Sequence, residues 1–182
     1  MSFSWWSRPP PRPAIASTCR GRPSERRVAA LDDDAPPARA DADDPHDLRR
    51  FLQAQEDTWA DALAELRAGR KRTHWMWFVF PQLAGLGSSA MAQRYAIGSR
   101  AEAAAYLAHP VLGPRLLACC EAVLALRGVS ARELLGTPDD RKLQSCATLF
   151  AAVAPAGSVF ERVLARYFDG RRDPATLRRL DG

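Results

Sequence analysis

The stretch that decides the fold is Thr-His-Trp-Met-Trp-Phe-Val-Phe-Pro-Gln, residues 73–82. Six large apolar side chains follow one another in it before a proline ends the run. Full burial of each such side chain contributes roughly 1.5–3 kcal/mol to stability, so the run is predicted to lie in the core. Periodicity does not separate a buried strand from a short buried helix. We favour a helix from about Thr73 to Pro81, because Val79 is the only β-branched residue in the run and the flanking segments have helical patterns.

Helical patterns precede and follow this run. Apolar residues recur at helical spacing after Pro45, which predicts one long helix with Asp44 as its cap and Gly69 as its stop. A second, short helix is predicted over residues 88–97 and includes Tyr95. The glycine-containing turn that leads into it is predicted to let two helices approach closely; the alternative, an anion site at the turn, has no supporting lysine motif.

Later helix starts are marked by capping residues and prolines. The spacing of a capping box occurs three times, at Ser99, Ser130 and Ser158. Proline marks three further starts, at Pro110, Thr137-Pro138 and Asp173-Pro174. Strand-like alternation never lasts more than a few residues. The chain is therefore predicted to be all-α, with about seven or eight helices in one compact domain. Helix pairs of similar length would also fit a short helical-repeat solenoid, although no repeat of fixed period is visible.

Composition divides the chain of 182 residues into a tail and a domain. Residues 1–45 hold eight of the fourteen prolines, with seven arginines and seven acidic residues, and this composition predicts a disordered tail. Residues 46–182 form the predicted domain and carry the whole net charge of +5. We expect no membrane span, because no apolar stretch approaches the ~20 residues that one requires.

The cysteines and histidines suggest neither a metal nor a redox site. The four cysteines include no C-x-x-C pair, and only three histidines are present. We therefore expect reduced thiols in a cytoplasmic protein, with no metal and no cofactor.

The motifs together resemble those of the family known as domain of unknown function 1810, whose bacterial members are sometimes labelled calpastatin. The resemblance covers about residues 46–180 and depends most on the run from His74 to Gln82 and on Gly85-Leu86-Gly87. It implies an all-helical fold with a packing likened to helical-repeat solenoids. It implies no activity.

Polar groups flank the aromatic run and suggest a groove. The candidate ligand-binding residues are Lys71, His74, Trp75, Trp77, Gln82, Tyr95 and Lys142. Lys142 is expected on a helix with Asp139 three residues earlier, so the two can form a surface ion pair. The alternative is that Lys142 and Lys71 bind an anionic group. His74 is expected to cap a helix or stack in the core, with acid–base chemistry as the alternative.

Two functions from different classes fit these residues. The first is a ligand- or partner-binding module whose occupant is a small anionic molecule or a protein. The second is an enzyme acting on a phosphate-bearing or nucleotide-derived substrate, with His74 as acid–base and Lys142 as anion holder. We expect no nucleic-acid partner, because basic and acidic residues alternate and form no basic stripe.

Overall fold

The computed structural model of the chain describes residues 44–181, and the tail prediction lies almost wholly outside this range. The described part consists of helices joined by short loops, as predicted. The ten helices of residues 44–181 are α1 (Arg49–Gln55), α2 (Trp59–Arg67), α3 (Met76–Val79), α4 (Ala90–Arg94), α5 (Arg100–Ala108), α6 (Leu112–Ala125), α7 (Ala131–Leu135), α8 (Asp139–Ala151), α9 (Val159–Phe168) and α10 (Pro174–Leu180). Extended pairing within residues 44–181 is limited to one parallel bridge between Leu83 and Ile97. The all-α prediction is confirmed.

The single long helix predicted after Pro45 is in fact two helices, α1 and α2. The Thr58 hydroxyl donates to the carbonyl of Ala54 at 2.6 Å, a local bond that competes with helix propagation. Asp44 is not the N-cap of this helix, because α1 begins only at Arg49 and Leu48 is its N-cap, but the Asp44 carboxylate does accept the backbone N–H groups of Leu48 and Arg49.

The aromatic run forms the four-residue helix α3 and is buried, so its predicted type is confirmed and its predicted length is wrong. Glu65, on α2, explains the late start. Its carboxylate accepts the N–H groups of Arg72 and Thr73, the Thr73 hydroxyl and the Trp75 indole N–H. These bonds hold residues 72–75 in a loop before the helix begins. Trp75 itself is only 1% exposed.

One of the three predicted capping boxes forms completely. Ser130 and Glu133 exchange both bonds at the start of α7. Ser99 caps α5 with its hydroxyl, but the carboxylate of Glu102 binds other groups in place of the serine N–H. Ser158 makes no capping bond with its side chain.

Two of the three proline-marked starts differ from prediction. Pro110 lies before α6, and the His109 imidazole Nδ1 accepts the first N–H groups of that helix. Thr137 makes no cap, because Pro138 occupies the position before α8. Asp173 caps α10 as predicted, accepting the N–H of Thr176.

Helices α6 and α8 form the centre of the domain. α6 packs against α2, α5 and α9, while α8 packs against α5, α7, α9 and α10. Eight of the thirteen residues of α8 are buried, so it contributes more to the core than the short α3 does. α3 packs instead against α1.

A half-buried arginine on α1, whose side chain is 14% exposed, links three elements. The Arg50 guanidinium pairs with the carboxylate of Glu102 on α5 and donates to four backbone carbonyls. Those carbonyls belong to His46, Asp47, Arg94 and Ala96. The second oxygen of Glu102 accepts the N–H of Gly98. We call this arrangement of Arg50, Glu102 and their backbone partners the Arg50 cluster; in it one cation faces one anion.

Between Asp44 and Asp181, no single helix is both long and apolar enough to cross a membrane, and only the pair α5 and α6, bent by 87°, meets the length and composition together.

Candidate functional site

Two lysines share one carboxylate at the start of α8. Lys71 Nζ lies 2.9 Å from one oxygen of Asp139, and Lys142 Nζ lies 2.8 Å from the other. The three side chains are 11%, 21% and 16% exposed for Lys71, Lys142 and Asp139 respectively. The predicted pairing of Lys142 with Asp139 is therefore present, but it is a half-buried group of three charges. One positive charge in it has no counterion.

Both ammonium groups also lie over tryptophan rings of the aromatic run. Lys142 Nζ is 4.8 Å from the centre of the Trp77 ring, and Lys71 Nζ is 5.4 Å from that of Trp75. Cations at such distances are attracted to the negative face of the ring. We call Lys71, Asp139, Lys142 and Trp77 the Lys142 cluster.

The protonation of Asp139 depends on its neighbours. Partial burial by itself raises the pKa of this carboxyl, but hydrogen bonds from Lys142 and Lys71 outweigh burial and lower the pKa overall. The carboxylate is thus ionised at neutral pH and is held between the two lysines.

A cleft of about 530 Å³ opens beside Trp77 and Lys142. Its walls come from the end of the aromatic run, the loop after it, α4, the first two turns of α8 and the start of α10. The lining residues are Trp77, Gln82, Leu86, Gly87, Ser88, Ser89, Ala92, Pro138, Arg141, Lys142, Ser145, Asp173 and Ala175. A volume between about 300 and 1,000 Å³ is typical of small-molecule sites.

The loop wall of the cleft is fixed by close packing. A β-carbon on Gly87 would lie 2.6 Å from the Ala92 side chain, so a larger residue would displace the loop from α4. The Ser89 hydroxyl accepts the N–H of Ala92 and starts α4. The sequence interpretation of this turn as a close approach of packed elements fits these contacts.

The acid on the opposite wall already has its hydrogen-bond partners. Asp173 Oδ2 accepts the Ser145 hydroxyl, the Thr176 hydroxyl and the Thr176 N–H. Asp173 thereby fastens α10 to α8. These bonds are structural, and Asp173 forms no ion pair with a cation in residues 44–181.

The predicted site residues do not all meet in this cleft. Trp77, Gln82 and Lys142 line it, whereas Lys71 is outside the lining and is linked to it only because Asp139, its partner, also pairs with Lys142. Trp75 and Tyr95 are 1% and 7% exposed, so their placement in a groove is wrong. The Trp75 indole N–H is bonded to Glu65, and the Tyr95 ring packs edge-on against Phe78. His74 is exposed and does not line the cleft.

Sequence reasoning missed several lining residues on α8. Pro138, Arg141, Lys142 and Ser145 recur at the i, i+3, i+4, i+7 spacing of a single helical face. This spacing can be recognised in the sequence by starting from Lys142. Asp173 and Ala175 carry no such signal, because they reach the cleft only through the packing of α10 on α8.

The cysteines of the described part are core residues. Cys119, Cys120 and Cys146 are all buried and unpaired by disulfides. Burial raises the pKa of the Cys119 thiol to about 12 and that of Cys146 well above its ordinary value. Thiols in this state are poor nucleophiles. In residues 44–181, no three His, Cys, Asp or Glu side chains are grouped to hold a metal ion.

Comparison with known proteins places this arrangement in a family. The family model described as "Protein of unknown function (DUF1810)" matches residues 45–180, and the chain belongs to that family. The solved structure of the conserved hypothetical protein Rv1873 from Mycobacterium tuberculosis is 52% identical in sequence, with a TM-score of 0.75. The match covers 76% of this chain and 99% of that one. No curated protein matches the chain.

Proposed function

We propose that the domain is a binding module that holds a small anionic ligand in the cleft beside Trp77. The observation that carries this proposal is the Lys142 cluster, in which two half-buried ammonium groups share the single carboxylate of Asp139. Burying a charge without a counterion is costly, so an unbalanced cation at a cleft favours an anionic occupant.

The other charges of the cleft support the same choice. Arg141 is exposed, and no carboxylate in the described part of the chain lies within ion-pair distance of it. Lys71, Lys142 and Arg141 give three positive charges, against two negative charges from Asp139 and Asp173. The excess is one positive charge. Of the two carboxylates, Asp173 already accepts three hydrogen bonds from neutral donors.

The uncharged lining favours a ligand that also has a flat apolar part. Trp77 and Leu86 offer apolar surface, while Gln82 and Ser88 offer hydrogen-bonding groups. Pockets that combine an apolar wall with a few polar groups are typical of small-molecule sites. We infer a ligand with a ring toward Trp77 and its negative group toward Arg141 and Lys142.

The described surface supports a protein partner less well than a small anionic ligand. Protein interfaces need a contiguous apolar centre rich in aromatic residues. The large hydrophobic residues exposed in the described range are Met91, Val111 and Leu117, which belong to α4 and to the α6 region. None of them lines the cleft.

The enzyme hypothesis depended on His74 as its acid–base residue. It required His74 and Lys142 in one pocket, and His74 is absent from the lining. The cleft hydroxyl of Ser145 bonds to the Arg141 carbonyl and to Asp173, and no histidine lies beside it in the lining. Binding is therefore the function that this geometry supports better than catalysis.

A screen with charge-matched compounds tests the proposal. Small anions are each paired with a neutral parent, and melting temperature and tryptophan fluorescence are followed. We expect stabilisation by anions only, weakened about tenfold or more by Lys142→Ala or Arg141→Ala, since truncating a charged partner in a partly desolvated site is costly. Arg132→Ala, an exposed arginine on α7, is the matched control and should change nothing. Equal responses to anions and parents, or hits insensitive to both substitutions, would reject the proposal.

A further inference from the structure

An arginine outside the cleft lining lies flat against the loop that forms one wall. A β-carbon placed on Gly85 would be 2.6 Å from Nη1 of Arg179 and 2.8 Å from its Cζ. Gly85 also has φ +82°, a left-handed conformation that other residues rarely adopt. Glycine at this position therefore gives the loop its turn and leaves room for the guanidinium.

Arg179 emerges from α10 on the side that faces the cleft. Ala175, one turn earlier on that helix, lines the cleft, and residues four apart share a helical face. Thr176 is fully buried against α8, which fixes the rotation of α10. Arg178 is exposed and projects about 200° around the helix from Thr176, away from the core.

Both ends of α10 are anchored, which fixes the backbone position of Arg179. Asp173 fastens the first turn to Ser145 of α8. Arg100 of α5 donates to the carbonyl of Leu180 and pairs with Asp181 at the last turn. The helix therefore spans the edge of the cleft with Arg179 near its end.

The guanidinium of Arg179 has no carboxylate partner within residues 44–181. It also makes no hydrogen bond to the rest of the described chain. A cation held against a glycine turn at the edge of a positively charged cleft is free to meet a ligand there. Guanidinium is a planar fork of N–H donors that matches phosphate and carboxylate geometry.

We propose that Arg179 is a ligand-contacting residue and that the occupant carries a doubly charged group, a phosphate monoester on a ring-bearing molecule. With Arg179 the cations number four, namely Lys71, Arg141, Lys142 and Arg179, against Asp139 and Asp173. The excess of two positive charges matches a dianion. Arg141 and Lys142 hold one side of the phosphate and Arg179 the other. This inference rests on the function proposed above.

Three simple probes separate charge from shape. Phenyl phosphate carries a ring and, above its second pKa of about 6, two negative charges. Benzoate carries a comparable ring with one charge, and inorganic phosphate carries the charge without a ring. For the wild-type chain at pH 8 we expect phenyl phosphate to bind most tightly, by titration calorimetry or by quenching of Trp77 fluorescence, with Trp77→Phe identifying the signal.

Substitution of Arg179 gives the decisive comparison. Arg179→Ala should weaken phenyl phosphate binding about tenfold while changing benzoate binding less than twofold, and Arg179→Lys should fall between. Arg178→Ala is the matched control and should bind all three probes as the wild type does. The melting temperature should be the same in all these variants.

The pH dependence distinguishes a contact from a merely structural role. Affinity of the wild type for phenyl phosphate should rise as the phosphate loses its second proton near pH 6, and this rise should flatten in Arg179→Ala. Equal affinities of Arg179→Ala and wild type would overturn the role of Arg179 and leave the binding module standing. Absence of binding of every probe to the wild type would overturn both.

Discussion

The Arg50 cluster and the Lys142 cluster use the same kinds of groups in different proportions. In the first, one guanidinium meets one carboxylate, and its remaining N–H groups are satisfied by four backbone carbonyls. In the second, two ammonium groups meet one carboxylate beside an open cleft. In the Arg50 cluster every charged group has a partner within the chain, and the cluster joins helices α1 and α5.

The difference gives a way to distinguish a structural ion pair from the binding site proposed here. A buried pair that serves the fold must balance its charges, since each unpaired charge carries a desolvation cost. A cluster that keeps an excess charge at a cleft has the same desolvation cost, but the unpaired charge does not stabilise the fold. Three of the four substitutions that follow test this distinction, and the fourth, at Glu65, measures a carboxylate that is held by hydrogen bonds without a paired cation.

The largest effect is expected for Arg50→Ala. It removes the cation from Glu102, which is 8% exposed, and leaves that carboxylate and four carbonyls without their donor. Breaking a buried pair in this way costs about 3–5 kcal/mol of unfolding free energy. Urea denaturation measures the loss. Arg49→Ala, its exposed neighbour, should cost less than about 0.5 kcal/mol, as surface substitutions do; a similar effect of both would show that the Arg50 cluster is not structural.

Glu65→Gln should give the next largest effect and the clearest pH dependence. Burial opposes ionisation of Glu65, but hydrogen bonds from Arg72, Thr73 and Trp75 lower its pKa from 4.5 to about 2. The folded pKa lies below the unfolded one, so this contribution is complete above about pH 4.5 and is lost as the pH falls toward 2. At pH 7 we expect a loss of about 1–2 kcal/mol, because the amide weakens charge-assisted bonds.

Urea titrations across this pH range test the sign for Glu65. The free-energy difference between wild type and Glu65→Gln should shrink as the pH falls from about 4.5 toward 2. Glu56→Gln, at an exposed glutamate between α1 and α2, is the control. A difference that stays constant with pH would show that the loop is not held by the ionised carboxylate.

Asp139→Asn should cost only about 1 kcal/mol, because both ammonium groups sit on long, flexible side chains that can turn toward water when the carboxylate is lost. The informative result is its response to anions. With the shared carboxylate neutral, inorganic phosphate should stabilise the variant more than the wild type, because it binds the folded state in place of the lost charge. Melting temperatures at rising phosphate give the comparison, with chloride at equal ionic strength as the reference. Parallel curves for the two proteins would argue against an anion site.

Lys142→Ala should have the smallest effect on stability, below about 1 kcal/mol, because Asp139 keeps Lys71 as its partner. Its effect on anion binding should nevertheless be about tenfold or more. A small loss of stability together with a large loss of anion affinity is the result expected for a binding residue. A loss of stability comparable to that of Arg50→Ala would instead place the Lys142 cluster among the structural pairs.

The fold class was accessible from the sequence because helical spacing, caps and glycine stops agreed along the chain. The break between α1 and α2 was not, since the helical pattern continues through it while the Thr58 hydroxyl ends the bonding locally. The late start of α3 depends on Glu65, ten residues before Trp75, and such a contact leaves no periodic signal.

The lining of the cleft was predicted in part for a similar reason. The sequence indicated Lys142, Gln82 and Trp77, which lie in that lining, because polar residues beside an aromatic run are uncommon; their role in binding stays a prediction. Trp75 and Tyr95 were placed wrongly, since sequence shows that an aromatic residue is present but not which way it points. Arg179 could not be identified at all, because its position depends on how α10 packs across the chain.

The parallel bridge between Leu83 and Ile97 has a consequence for how the cleft receives a ligand. The N–H of Ala84 bonds to the carbonyl of Ile97, and the N–H of Ile97 bonds to that of Gln82, both at 2.8 Å. The loop wall and α4 therefore belong to one segment whose two ends meet at this bridge. The entropy of closing that loop is lost during folding. A preorganised wall would spare the proposed ligand that cost.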